Sequence, residues 1–151
     1  MFLLSFQPNK LLNTKRDQNT MTPFARFLLV TAAFLLAIGV MLGAFGAHAL
    51  RNLVPEPALL TWQTGVLYQF IHAIGIAILG VLVLWVPKLP FAKATGSLFL
   101  VGILCFSGSL YALVLTEWSL LGPITPLGGL SFIAGWLSLA WGLIKLPKAK
   151  A

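Results

Sequence analysis

Residues 66–86 read VLYQFIHAIGIAILGVLVLWV, with Pro87 and Lys88 directly after them. No Asp, Glu, Lys or Arg interrupts the run. As a helix it would rise about 31 Å, enough to cross a hydrocarbon layer of roughly 30 Å. Gln69 and His72 are the residues that complicate this reading. Facing lipid, both would be costly, but about a dozen aliphatic and Phe residues at roughly −0.3 to −0.6 kcal/mol each outweigh them. The run therefore reads as a membrane helix whose polar side, with Gly65, Tyr68, Gln69, His72 and Gly75 on one face, turns towards other helices.

Working outward, three more apolar stretches of similar length appear at residues 24–47, 94–115 and 124–144. All nine prolines fall outside these runs or at their first turns, as expected if the runs are helices that proline would break. Pro23 and Pro126 suit a first helical turn, where a missing N–H costs little. Hydrophobic residues make up 59% of the 151 residues and charged ones 9%, a balance that a water-soluble domain of this size has too little interior to hide. The expected fold is an all-α membrane protein: one domain, a bundle of four transmembrane helices, with both termini on the cytoplasmic side.

That orientation follows from the basic residues. Lys10, Lys15, Arg16 and Arg26 precede or open the first span, Lys88 and Lys93 lie between the second and third, and Lys145, Lys148 and Lys150 follow the fourth. The other two loops offer Arg51 with Glu56, and Glu117. Positive loops stay in the cytoplasm. Trp62, Trp85, Trp118 and Trp141 fall near the expected span ends, as interfacial aromatic belts do. The net charge of +7 sits beside apolar runs, so anionic lipid headgroups rather than nucleic acid are its expected counterpart. Residues 1–20 lack the charge order of a signal peptide and read as a disordered or non-native basic tail, with Met21 as the natural start. Residues 21–146 form the membrane domain and residues 147–151 a basic C-terminal tail.

Helices in lipid associate by close packing and hydrogen bonding, so small residues at helical spacing mark contact faces. The fourth span carries Gly128, Ser131, Gly135, Ser138 and Gly142, and the first carries Ala32, Gly39, Gly43 and Gly46. The polar residues of the spans are expected at similar depth: Gln69 and His72 on the second, Ser107 and Tyr111 on the third, Ser131 on the fourth. Together they form a candidate polar cluster, either a set of interhelical bonds or a solute site. His48 ends the first span and is expected to cap or hydrogen-bond that helix end.

Catalytic, metal and cofactor sites are not expected. The acidic residues Asp17, Glu56 and Glu117 all lie outside the spans, which leaves no paired carboxylates. His48 and His72 differ in depth by roughly 9 Å, too far for two axial ligands of one haem, and two imidazoles fall short of a zinc site. No phosphate-binding loop accompanies the glycines of residues 43–46. Cys105 is the sole cysteine; it has no disulfide partner in the chain and no basic neighbour in sequence to activate it.

Several blocks stand in a fixed order: GAFGAHAL at residues 43–50, Trp62-Gln63-Thr64, Tyr68-Gln69, His72-Ala73, FSGSLY at residues 106–111, GPITPLGG at residues 122–129, and Gly135-Trp136. In these the chain resembles domain of unknown function 423, a family of small membrane proteins that includes a bacterial YgdD type and eukaryotic transmembrane protein 256. The likeness runs from about Met21 to Trp141. It implies a four-span inner-membrane protein and carries over no catalytic residues, since the family has no established activity. The expected role is that of a structural or accessory component of the bacterial inner (plasma) membrane, contacting the lipid bilayer and other membrane proteins or further copies of itself. A small-solute transporter or channel subunit built on the polar cluster is the alternative.

Overall fold

The computed structural model describes residues 21–147. The expected N-terminal tail, the proposed start site's upstream segment and all of the C-terminal tail but Pro147 lie outside the described residues.

Four long apolar helices make up the structure. Helix α1 (Pro23–His48) opens on a cap: the Thr22 side chain accepts from the Ala25 N–H at 3.2 Å, and Pro23 occupies the first turn, where its lost donor has no intrahelical role. A short 3-10 turn, Leu50–Asn52, leads to α2 (Glu56–Trp85). α2 begins ten residues before the expected span, because Pro57 fits its first turn and Glu56 sits where the helix dipole favours a negative charge. The next connection turns at Phe91, whose φ of 60° is left-handed, and its carbonyl accepts from the Thr95 N–H at 2.9 Å.

Helix α3 (Ala92–Thr116) is not regular. Its ordinary α-helical ends, Ala92–Gly102 and Gly108–Thr116, are joined by a wide π turn over Ile103–Ser107. There the Gly108 N–H reaches back five residues to the Ile103 carbonyl. Nothing in the apolar pattern of the sequence announces this turn. α3 stops at Glu117, also left-handed at φ 56°, and a 3-10 turn at Ser119–Leu121 leads to α4 (Ile124–Ile144).

Each helix packs on its neighbour in sequence, α1 on α2, α2 on α3 and α3 on α4, while α1 and α4 share no comparable interface. α2 is the axis of this arrangement: half of its most apolar window is buried (50%), against 17% for α1. The larger apolar core, around Leu28, Ile76, Leu79 and Phe99, fills the half nearer the chain termini. A smaller one, around Leu50, Trp62 and Val114, closes the opposite, loop end. Outward faces carry bare large side chains such as Phe34, Met41, Leu104 and Leu137, which lipid rather than water must cover.

Trp85, Trp118 and Trp141 are exposed at helix ends, as an interfacial belt requires. Trp62 departs from that expectation. It is 1% exposed and lies between helices, because the first turns of α2 extend the packed interface beyond the expected span.

Candidate functional site

The polar groups of the spans meet backbone as often as they meet each other. At the α1–α2 interface the Gln69 amide Nε2 donates to the Leu35 carbonyl at 2.8 Å, and the Trp62 indole Nε1 donates to the Leu42 carbonyl at 2.9 Å. The two donors are seven residues apart on α2, the two acceptors seven apart on α1, so the bonds repeat at the same heptad step on antiparallel helices. Both acceptors are helical carbonyls, and such a carbonyl points along the axis towards residue i+4. Here the i+4 residues are Gly39 and Gly46. A Cβ on Gly46 would stand 2.8 Å from the Trp62 Nε1, and one on Gly39 would stand 3.4 Å from the Gln69 Nε2. Absence of a side chain is what bares each carbonyl to its donor. Gly43, between them, is looser: a Cβ there would meet only Val66, at 3.6 Å.

Gln69 is also the junction to α3, since its Oε1 accepts from the Tyr111 hydroxyl at 3.0 Å. The Tyr111 ring lies over Gly65, where a Cβ would approach it to 2.8 Å, and tilts against Trp62 with centroids 4.7 Å apart. Leu35, Gln69 and Tyr111 thus form one chain of hydrogen bonds across three helices.

His72, 4% exposed, is separate from that chain. Its Nδ1 lies 2.8 Å from the Tyr68 carbonyl, one turn back on its own helix. A carbonyl only accepts, so Nδ1 carries a hydrogen in this pairing. The imidazole stacks on Phe132 of α4 (centroids 3.3 Å apart, 9° between planes), with Phe99 at 5.7 Å and Trp136 at 6.1 Å around it. An apolar aromatic box surrounds the ring.

The remaining members of the expected cluster are dispersed. Ser107, in the π turn, is fully buried, and its Oγ has no hydrogen-bond partner among the described residues. Ser131 lies outside the cluster altogether: its Oγ donates to the Leu98 carbonyl of α3 at 2.8 Å. Four residues on stands Gly102, where a Cβ would run into the Phe132 ring, so the bare backbone lets α4 close on α3 at this level. His48 is exposed at the end of α1, and no hydrogen bond from its ring is found among the described residues.

The small residues of α4 face α3 and the connection that leads into it. A Cβ on Gly128 would run into the backbone of Phe106, one on Gly135 would come within 2.7 Å of the Phe99 ring, and one on Gly142 would run into the Pro90 carbonyl. Between them the Thr95 hydroxyl donates to Ser138 at 3.0 Å, and Ser109 and Thr125 share a hydrogen bond of 2.7 Å. Surface grooves lie on the perimeter, at the start of α1, beside Phe91 and along the last turns of α4. Gln69, His72, Ser107 and Tyr111 line none of these. Among the described residues no three His, Cys, Asp or Glu side chains are grouped as a metal would need.

Four apolar helices with lipid-covered outer faces and interhelical polar bonds define an integral, multi-pass membrane protein. The family model described as "Protein of unknown function (DUF423)" matches residues 42–129, and the chain belongs to that family. Among its relatives is the UPF0382 membrane protein YwdK of Bacillus subtilis, 43% identical over 111 residues that cover 74% of this chain and 89% of the relative. The UPF0382 inner membrane protein YgdD of Escherichia coli K12 is 41% identical over 125 residues, 82% of this chain and 94% of the relative. A UPF0382 membrane protein of Haemophilus influenzae is 44% identical over 106 residues, 70% of this chain and 84% of its own. No solved structure matches the chain.

Proposed function

We propose that this protein is a non-catalytic structural or accessory component of the membrane, with both termini on the cytoplasmic side and a surface available to other membrane proteins or to further copies of itself. One observation supports the reading above others: Gln69, Trp62, Tyr111 and Ser131 direct their polar atoms to neighbouring helices, three of them to backbone carbonyls and Tyr111 to Gln69. Groups committed in this way hold a bundle together and are not free to bind a passing solute. The basic residues Arg26, Lys88, Lys93 and Lys145 share one end of the bundle, and that asymmetry supports the orientation.

Transport through the bundle is tested in sealed liposomes that contain the purified chain and a trapped pH-sensitive dye. Proton flux no faster than in protein-free liposomes, unchanged by His72→Leu, is the expected result. Flux that His72→Leu abolishes while the helix content stays intact would overturn the structural reading in favour of a conducting one.

A further inference from the structure

At the loop end, the start of α2 and the end of α3 enclose a groove of about 240 Å³, lined chiefly by Val54, Pro55, Ala58, Thr61, Val114 and Glu117. Its walls are mostly apolar, and the Thr61 hydroxyl is already committed to the Pro57 carbonyl at 2.9 Å. Glu117 is the charged residue in the lining.

The backbone at Glu117 is unusual for its residue type. At φ 56° it ends α3 in the left-handed conformation, with its N–H on the Leu113 carbonyl at 2.9 Å. Glycine is the residue that normally ends a helix so, because a Cβ is strained there. A glutamate at this position is disfavoured by the local fold, so what it contributes lies in the side chain. The loop end as a whole is acidic on balance, carrying Glu56 and Glu117 against Arg51, whereas the other end carries Arg26, Lys88, Lys93 and Lys145.

We propose that this groove binds a phospholipid with a primary ammonium headgroup, the Glu117 carboxylate taking the ammonium and the apolar walls the glycerol end of the chains. The groove lies where α2 and α3 meet the loops, the level at which headgroups sit, and its charge is complementary to an ammonium and repels an anionic headgroup. The proposal is independent of the role assigned to the bundle above.

The test uses the purified full chain in mild detergent with equal amounts of phosphatidylethanolamine, phosphatidylcholine and phosphatidylglycerol, and reads retained lipid by native mass spectrometry. Phosphatidylethanolamine is expected to be retained over phosphatidylglycerol by about threefold, the factor that one partly exposed charge pair supplies. Glu117→Gln is expected to remove that preference. Glu117→Gly is expected to remove it too, while raising the melting temperature by relieving the backbone. A wild-type chain without preference, or either variant retaining it, overturns the proposal. So does a lower melting temperature in Glu117→Gly, which would assign the side chain to the fold instead.

Discussion

At the scale of single residues, one relation recurs among the described residues: each side-chain donor that reaches a carbonyl on a neighbouring helix finds one with a glycine four residues after it. Leu35 with Gly39, Leu42 with Gly46 and Leu98 with Gly102 are the three instances, served by Gln69, Trp62 and Ser131. Gly39 and Gly46 were legible in the sequence as a packing seam, and Gln69 and Ser131 as polar residues of the spans; Gly102 and the buried indole of Trp62 were not. Nor was the connection of donor to glycine, because it depends on which helix lies opposite, and no single-chain periodicity gives that. Gly43 shows the difference between pattern and contact. It completes a GxxxG with Gly39, yet a Cβ there would find ordinary room against Val66 at 3.6 Å. Gly43→Ala is therefore expected to change stability by no more than about 0.5 kcal/mol. Gly46→Ala, which would drive a methyl into the Trp62 indole, is expected to cost about 1–3 kcal/mol. Reversible unfolding in mixed micelles distinguishes the two, and equal costs would show that the uncovered carbonyl is unimportant.

At the scale of elements, the helices were legible and one of their irregularities was not. Proline punctuation and run length located all four helices, but α2 begins at Glu56 rather than near Val66, since the helix continues through the more polar Thr61–Thr64 segment ahead of the apolar run. The π turn of α3 left no trace in the apolar pattern. It pushes the Phe106 backbone towards α4, where Gly128 is needed to receive it, and it turns Ser107 into the interior with its hydroxyl unpartnered. A π turn inside a helix often marks a functional position. A buried hydroxyl without a bond is a net cost to the fold, so Ser107→Ala is expected to raise stability by about 1 kcal/mol. The same unfolding measurement checks this. A loss of stability would mean that the hydroxyl has a bound partner such as an ordered water. The expected single cluster dissolved for a related reason: equal depth brings Gln69 to Tyr111, but rotation about each helix sends Ser131 to Leu98 and encloses His72 in aromatic rings.

At the scale of the whole molecule, the physical constraint is lipid. With no water in the hydrocarbon layer, each crossing must satisfy its own backbone, and helices of 21–30 residues do so. The four crossings were fully legible, because length and hydropathy are properties of the chain itself. The order of neighbours was less so: α1 and α4 do not close a ring, which leaves α1 as the most lipid-exposed helix and α2 as the shared support. The crossing number and orientation have a joint test in reporters active only outside the cell membrane, fused after Asn52, after Lys88 and after Ala151 in turn. Activity after Asn52 and silence at the other two positions is the expected result. Activity at Ala151, or the same reading at Asn52 and Lys88, would contradict four crossings with both ends inside.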